Sequence, residues 1–224
     1  MDQCVFNKGV GAEQCTVCLH VDDLMITCRQ DATIEDLLNG LTAKYKTLTV
    51  HRGKIHSYLG MTWDFSVPRK VKVTMEGFIE DTLKSYDVKG TAATPATINL
   101  FDLRKSKLLC KELAIAFHSK TAKLLYLGKR VRPDILTAIA FLTTRTRAPT
   151  LDDQGKLDRV LRYLNSTKEL GMVLECDKDI SVLVYVDASY GVHADGKSHT
   201  GVIISLGRGA VHVRSGKQKI VTKS

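Results

Sequence analysis

Two aspartates stand side by side in an otherwise apolar run, Leu19-His20-Val21-Asp22-Asp23-Leu24-Met25-Ile26. An unpaired carboxylate is costly to bury, so Asp22 and Asp23 are expected at a hairpin bend. Paired carboxylates are the simplest way to hold Mg2+, which takes hard oxygen ligands and keeps waters and substrate phosphates around it. Two such ions can activate an attacking oxygen and stabilise a leaving one. The dipeptide recurs at Asp152-Asp153, where it reads as a helix N-terminus, a place that favours negative charge. The competing reading of Asp22-Asp23 is therefore a solvated turn. A further acid, Asp187, ends the apolar run Ser181–Val186; it is a metal-ligand candidate or a strand-end acid at a turn. Cys15-x-x-Cys18 suggests zinc, but a structural zinc site needs four ligands, usually in two close pairs. No second pair follows among the six cysteines. Both are read as strand residues, and the thiols as reduced.

The elements around these residues alternate in character. Residues 4–7 and 15–27 are apolar and β-branched, flank a turn-rich stretch from Lys8 to Gln14, and read as a hairpin. A helix follows, with Asp31 at its cap and Ile34, Leu37, Leu38, Leu41 and Tyr45 on one face. Extended runs are expected at 48–50, 55–65 and 70–74, with a turn at Val67-Pro68-Arg69-Lys70, then a helix over about 76–86. Residues 89–107, rich in Thr, Ala, Pro and Lys, read as a linker or an exposed crossing loop. Three helices come next: 117–128, one opening at Pro133, and 150–165. Short β runs at 172–176, 181–186, 201–206 and 210–214 follow, the last two joined through Gly207-Arg208-Gly209. The fold class is α+β. The chain's end after these strands reads as a cut within a sheet.

Composition sets the limits. The 224 residues are 44% apolar and 25% charged, a globular balance. No run approaches the ~18 apolar residues of a membrane span, and Met1-Asp2-Gln3-Cys4 is no secretory leader. The expected setting is intracellular, without a membrane partner. The net charge is +9. Eleven Lys/Arg against five acids lie between Lys120 and Leu170, and five Lys/Arg with no acid between Arg208 and Lys223. Such a balance points towards a polyanionic partner.

The run around Asp22-Asp23 resembles the aromatic-Val-Asp-Asp motif of reverse transcriptases. Tyr58-Leu59-Gly60-Met61 resembles the primer-grip hairpin. Leu124-Leu125-Tyr126-Leu127, Arg132-Pro133-Asp134-Ile135, Pro149 and Val160-Leu161-Arg162-Tyr163-Leu164-Asn165-Ser166-Thr167 resemble the copia-type retrotransposon polyprotein. Tyr185-Val186-Asp187-Ala188-Ser189-Tyr190, Ser198-His199-Thr200-Gly201 and Lys217-Gln218 resemble the opening of its ribonuclease H domain. These markers run in the family's order along nearly the whole chain.

The resemblance implies a partial reverse-transcriptase palm over 1–75, a helical thumb and connection over 76–170, and an incomplete ribonuclease H-like sheet over 171–224. Asp22 and Asp23 would be two of three palm carboxylates, and Asp187 the first ribonuclease H ligand, all toward Mg2+. The third palm carboxylate and the ribonuclease H glutamate have no counterpart here; Asp2 lies too near the hairpin foot to replace the former. His20 departs from the family's usual aromatic. Arg130, Arg132, Arg145, Arg147, Arg159 and Arg162 would contact the phosphates of an RNA–DNA hybrid or template–primer duplex. Arg132 has an alternative role, pinning a helix start through Asp134. Tyr58 and Trp63 read as core of a small sheet rather than a base-stacking platform, and Asp195 as solvated. The expected function is that of a reverse-transcriptase fragment which does not polymerise alone, deoxynucleotides being bound only by the intact parent. The alternatives are a non-catalytic nucleic-acid-binding relic and a stand-alone ribonuclease H, the latter weakened by the missing glutamate.

Overall fold

A computed structural model describes residues 3–9, 14–176 and 180–221. Asp2, part of the Lys8–Gln14 turn, and Ser224 lie outside the described residues. The chain divides into two compact units at Trp63/Asp64.

The first unit opens with three antiparallel strands, β1 (Val5–Lys8), β2 (Cys15–His20) and β3 (Asp23–Cys28), in the order β1-β2-β3. The run expected as one long arm over 15–27 breaks at Val21-Asp22, where two carboxylates could not stay within a half-buried strand. Helix α1 (Asp31–Tyr45) packs on β3. Gln30 rather than Asp31 is its cap residue, and no side chain caps it. None of its residues is fully buried: Ile34, Leu37, Leu38 and Leu41 are half-buried, and Tyr45 is exposed. No strand forms over 48–50. Strands β4 (Ile55–Tyr58) and β5 (Met61–Asp64) meet at Leu59-Gly60. Both turn residues have positive φ, 54° and 69°, the pattern of a type I′ hairpin.

The second unit holds most of the core. Strand β6 (Lys70–Thr74) leads into α2 (Glu76–Ser85). Helix α3 spans Lys111–Arg130, starting six residues before the expected 117, because Leu113 and Ile115 face solvent and hide the apolar period of its first turns. A 3-10 turn, Pro133–Ile135, runs into α4 (Leu136–Thr143), and α5 covers Leu151–Ser166. Phe117, Leu124, Leu127, Ile139, Leu142, Leu157 and Val160 are wholly buried between these helices.

Strand β7 (Met172–Cys176) pairs antiparallel with β6, across the expected boundaries at 75/76 and 170/171. Gly171 makes this possible: a Cβ there would stand 2.5 Å from the Val73 carbonyl. On its other side β7 pairs with β10 (Gly207–Arg208). Gly209, at φ 82°, lies where a Cβ would strike the Val173 carbonyl. A separate antiparallel sheet comprises β8 (Leu183–Ser189), β9 (His199–Ser205) and β11 (His212–Lys217), in the order β11-β9-β8.

Residues 89–107 do not hang free. The backbone N–H of Ala92 donates to Arg162 O, the side chains of Asn165 and Ser166 donate to Gly90 O and Ala92 O, and the Lys156 ammonium donates to Asp102 O. The segment is a crossing loop laid along α5, ending at the Leu108–Thr150 bridge.

Candidate functional site

The Asp22-Asp23 hairpin is tight. His20 and Asp23 are cross-strand partners, so Val21 and Asp22 alone make the turn. Val21 takes φ 56° and is 84% exposed. A β-branched residue in this region is strained by roughly 1–2 kcal/mol, and such strain concentrates at functional sites. The turn leaves Asp22 and Asp23 adjacent and exposed at the tip. Behind it, the Tyr58 hydroxyl donates to Cys18 O on β2 at 3.1 Å. Burial, with Cys18 and Asp23 nearby, pushes the Tyr58 hydroxyl up, so it stays a protonated donor. The β4–β5 hairpin is thus fastened to the strand that leads into the aspartate turn. Trp63, on β5, is half-buried, and its indole Nε1 is buried without a hydrogen-bond partner.

Two exposed carboxylates suit a Mg2+ ion that keeps waters and gains substrate phosphates. Among the described residues no third His, Cys, Asp or Glu joins them in a metal-holding group. They fit one end of a metal site and do not complete a two-metal one. Cys15 and Cys18, three residues apart on β2, project to opposite faces of the strand. Cys15 lies opposite Cys28, and burial and the Cys28 thiol push its thiol up. The pair is strand structure, as expected, and no disulfide joins any of the six cysteines.

Asp187 lies within β8, opposite Gly201 in register. Every residue of β8 is exposed, so Asp187 faces solvent. Its sequence neighbourhood is knitted together: Gln218 Nε2 donates to Thr200 Oγ1 at 2.8 Å, and the Gln218 N–H to Ser198 O at 2.9 Å. The two short motifs 198–201 and 217–218 are therefore one hydrogen-bonded unit. Asp195, expected as solvated, pairs with Lys217 at 2.7 Å and with Lys197 at 3.5 Å. Hydrogen bonding to Lys217 is the main cause that holds its carboxyl down at about 2.

The six arginines separate into two groups. Arg132 is buried at 1% exposure. It donates to both Asp134 oxygens and to Thr167 O and Oγ1, while the Tyr163 hydroxyl donates to Asp134 Oδ2 at 2.8 Å. It is a pin between the motifs 132–135 and 160–167, and its burial against these partners takes it out of the set of phosphate contacts. Arg145 donates to the buried Asp153, whose carboxylate also accepts the Thr150 N–H in a capping box that starts α5. Arg159 donates to Thr94 O and Oγ1, holding the crossing loop. Arg130, Arg147 and Arg162 remain exposed; Arg130 lies over the Tyr126 ring at 5.4 Å and Arg162 donates to Asp158 O.

Sequence reasoning singled out no role for a chain of polar side chains beside α4, buried at its two histidines. His193 and His199 are hydrogen-bonded at 3.1 Å, His199 Nε2 lies 2.7 Å from Ser215 Oγ, and Ser215 Oγ donates to Thr137 Oγ1 at 3.4 Å. Phe101 stands edge-on to both imidazoles. The placement of His199 within Ser198-His199-Thr200-Gly201 was the only signal in the sequence.

The chain is similar to the Ty5-1 transposon protein of Saccharomyces cerevisiae, 26% identical over 90% of this chain and 65% of that protein. It is 28% identical to the retrovirus-related Pol polyprotein from transposon RE2 of Arabidopsis thaliana, over 92% of this chain and 14% of the polyprotein. It is 26% identical to that from transposon TNT 1-94 of Nicotiana tabacum, over 100% and 17%. The chain spans less than two thirds of the length of each of these relatives. No family model and no solved structure matches it.

Proposed function

We propose that this chain, a retrotransposon-related protein homologous to segments of Pol polyproteins, is the part of a copia-type reverse-transcriptase region that carries the Val-Asp-Asp hairpin, the thumb and connection, and the opening of ribonuclease H. The parent reaction is RNA-directed DNA synthesis. The observation that carries this reading is the strained Val21 turn, which sets Asp22 and Asp23 together at an exposed tip braced by Tyr58.

Asp22 and Asp23 would hold Mg2+, which supplies charge stabilisation for nucleotidyl transfer when bound. Tyr58 keeps the β4–β5 hairpin against β2, and so keeps the carboxylates oriented. Arg130, Arg147 and Arg162 offer cations to a duplex backbone, contacts that hold the nucleic acid without reading its sequence. Asp187 offers one carboxylate, too few for ribonuclease H chemistry by itself. With two palm carboxylates and no third beside them among the described residues, we expect the chain to hold template–primer without extending it.

The test pairs two measurements. Mn2+, a paramagnetic stand-in for Mg2+, should broaden backbone signals around residues 20–25, and Asp22→Asn/Asp23→Asn should abolish the effect. Primer extension on an RNA template should give no product. Absence of broadening overturns the metal assignment. Extension that disappears in Asp22→Asn overturns the statement that the chain is inactive alone.

A further inference from the structure

Cys15 and Cys28 stand opposite each other at the open end of the hairpin whose closed end is the Val21-Asp22 turn. The register decides how near they come. Leu19 is the partner of Leu24, yet its N–H points the other way and donates to Cys4 O at 2.8 Å. Leu19 and Leu24 therefore exchange no hydrogen bonds, and by alternation neither do Val17–Ile26 or Cys15–Cys28. Such pairs hold their Cα atoms about 4.5 Å apart, the closer of the two spacings in an antiparallel ladder. A disulfide spans a Cα separation of about 4.4–6.8 Å. Directly opposed residues also project from one face of the sheet, so both sulfurs lie on the same side.

The side chains already meet. Burial, and next the hydrogen bond to Cys28, push the Cys15 thiol up. The two differ in access: Cys15 is 4% exposed and Cys28 is half-buried. A small reagent reaches Cys28 first. Cys18 projects from the other face of β2 and stands opposite Met25, and Cys110 and Cys176 belong to the second unit. Among the described residues no third His, Cys, Asp or Glu joins the pair, which leaves it short of the four ligands of a structural zinc site and suited to two-electron thiol chemistry.

We propose that Cys15 and Cys28 form a reversible disulfide site, closed by a low-molecular-weight disulfide and reopened by a dithiol. The Cys28 thiolate attacks one sulfur of the reagent, breaking its S–S bond and expelling one small thiolate. The Cys15 sulfur, giving up its proton, then attacks the Cys28 sulfur of the mixed disulfide and expels the second. Each expelled thiolate takes up the proton that the attacking cysteine lost. Two protein thiols are oxidised by two electrons, and one reagent disulfide is reduced to two thiols. The closed bond clamps the open end of the hairpin and fixes the register that places Asp22 and Asp23 at its tip. It forms whether or not the aspartates hold an ion, so it stands apart from the metal reading.

The test treats the folded 224-residue chain with oxidised glutathione, blocks the remaining thiols and cleaves after Met25, which separates Cys15 from Cys28. Mass spectrometry of the monomer should find Cys15 bonded to Cys28, and dithiothreitol should undo the bond. Cys18→Ser should keep it and Cys28→Ser should lose it. Amide exchange in β2 and β3 should slow by roughly tenfold or more on oxidation. Cys15 and Cys28 left unmodified, a glutathione adduct on Cys28 that never passes to Cys15, or a bond from either cysteine to Cys4 or Cys18 overturns the proposal. A Cys15–Cys28 bond with unchanged exchange overturns the clamp.

Discussion

His193 Nε2 and His199 Nδ1 face each other at 3.1 Å in a buried site, so one ring must donate and the other accept. The two facing nitrogens cannot both carry protons, and burial favours the neutral pair over a charged one. Burial is the main cause that holds both imidazoles down, His199 to about 4, with Lys217 also disfavouring charge on His193 and Asp195 favouring it. The folded state thus binds fewer protons than the unfolded one below pH 6.5. Stability is complete above the unfolded value and is lost as pH falls from 6.5 towards 4. The loss attributable to His199 is at most about 3 kcal/mol. Urea midpoints measured across this range should fall with pH, and His199→Gln should flatten the fall. An unchanged pH profile in His199→Gln contradicts the assignment.

Arg132 and Arg162 look alike in sequence and differ in role. Removing the buried Arg132 strands Asp134 and the Thr167 carbonyl. Arg132→Ala should cost roughly 3 kcal/mol, the lower end for a broken buried pair because Asp134 is partly exposed. Arg162→Ala should stay within about 0.5 kcal/mol. Chemical denaturation distinguishes the two, and equal costs would remove the pin from the account.

Val21 holds a backbone conformation that glycine adopts freely. Val21→Gly should raise the stability of the first unit by about 0.5–1 kcal/mol, the strain relief being partly offset by the unfolded-state entropy of glycine. Hydrogen exchange of the β2 and β3 amides is the readout; faster exchange in the variant would contradict a strained turn.

Asp153 accepts from Thr150 and Arg145 while 1% exposed. Asp153→Ala removes the capping box and leaves Arg145 without its carboxylate, a loss of about 2–3 kcal/mol. Asp153→Asn keeps an acceptor and should recover part of it. Thermal melts of the two variants would show this order, and equal melting temperatures would contradict it.

Local chemistry explains which parts were legible in advance. Thr150 and Asp153 announce α5 by spacing alone, and the alternation of residues 70–74 and the short apolar run at 172–176 mark β6 and β7 to the residue. Their pairing across about a hundred residues was not legible, because it depends on Gly171 and Gly209 removing Cβ atoms from one crowded strip. The start of α3 was hidden by Leu113 and Ile115 on its wet face. The arginines show the same division. Charge placed all six in a basic stretch; the Arg132-Pro133-Asp134 spacing already offered the Arg132–Asp134 pair, whereas the Arg145–Asp153 pair, eight residues apart, is seen only in the fold. The His193–His199 contact joins a loop to a strand and packs under Phe101, a meeting that no short-range pattern encodes.

The central claim is that this chain holds nucleic acid as part of a reverse-transcriptase region. Its most direct test is a filter-binding titration of the folded chain with an RNA–DNA hybrid at two salt concentrations. The account predicts binding at low salt that weakens steeply as salt rises, because the contacts are to phosphates. No binding at low salt would contradict it and leave the exposed arginines as a solvated face.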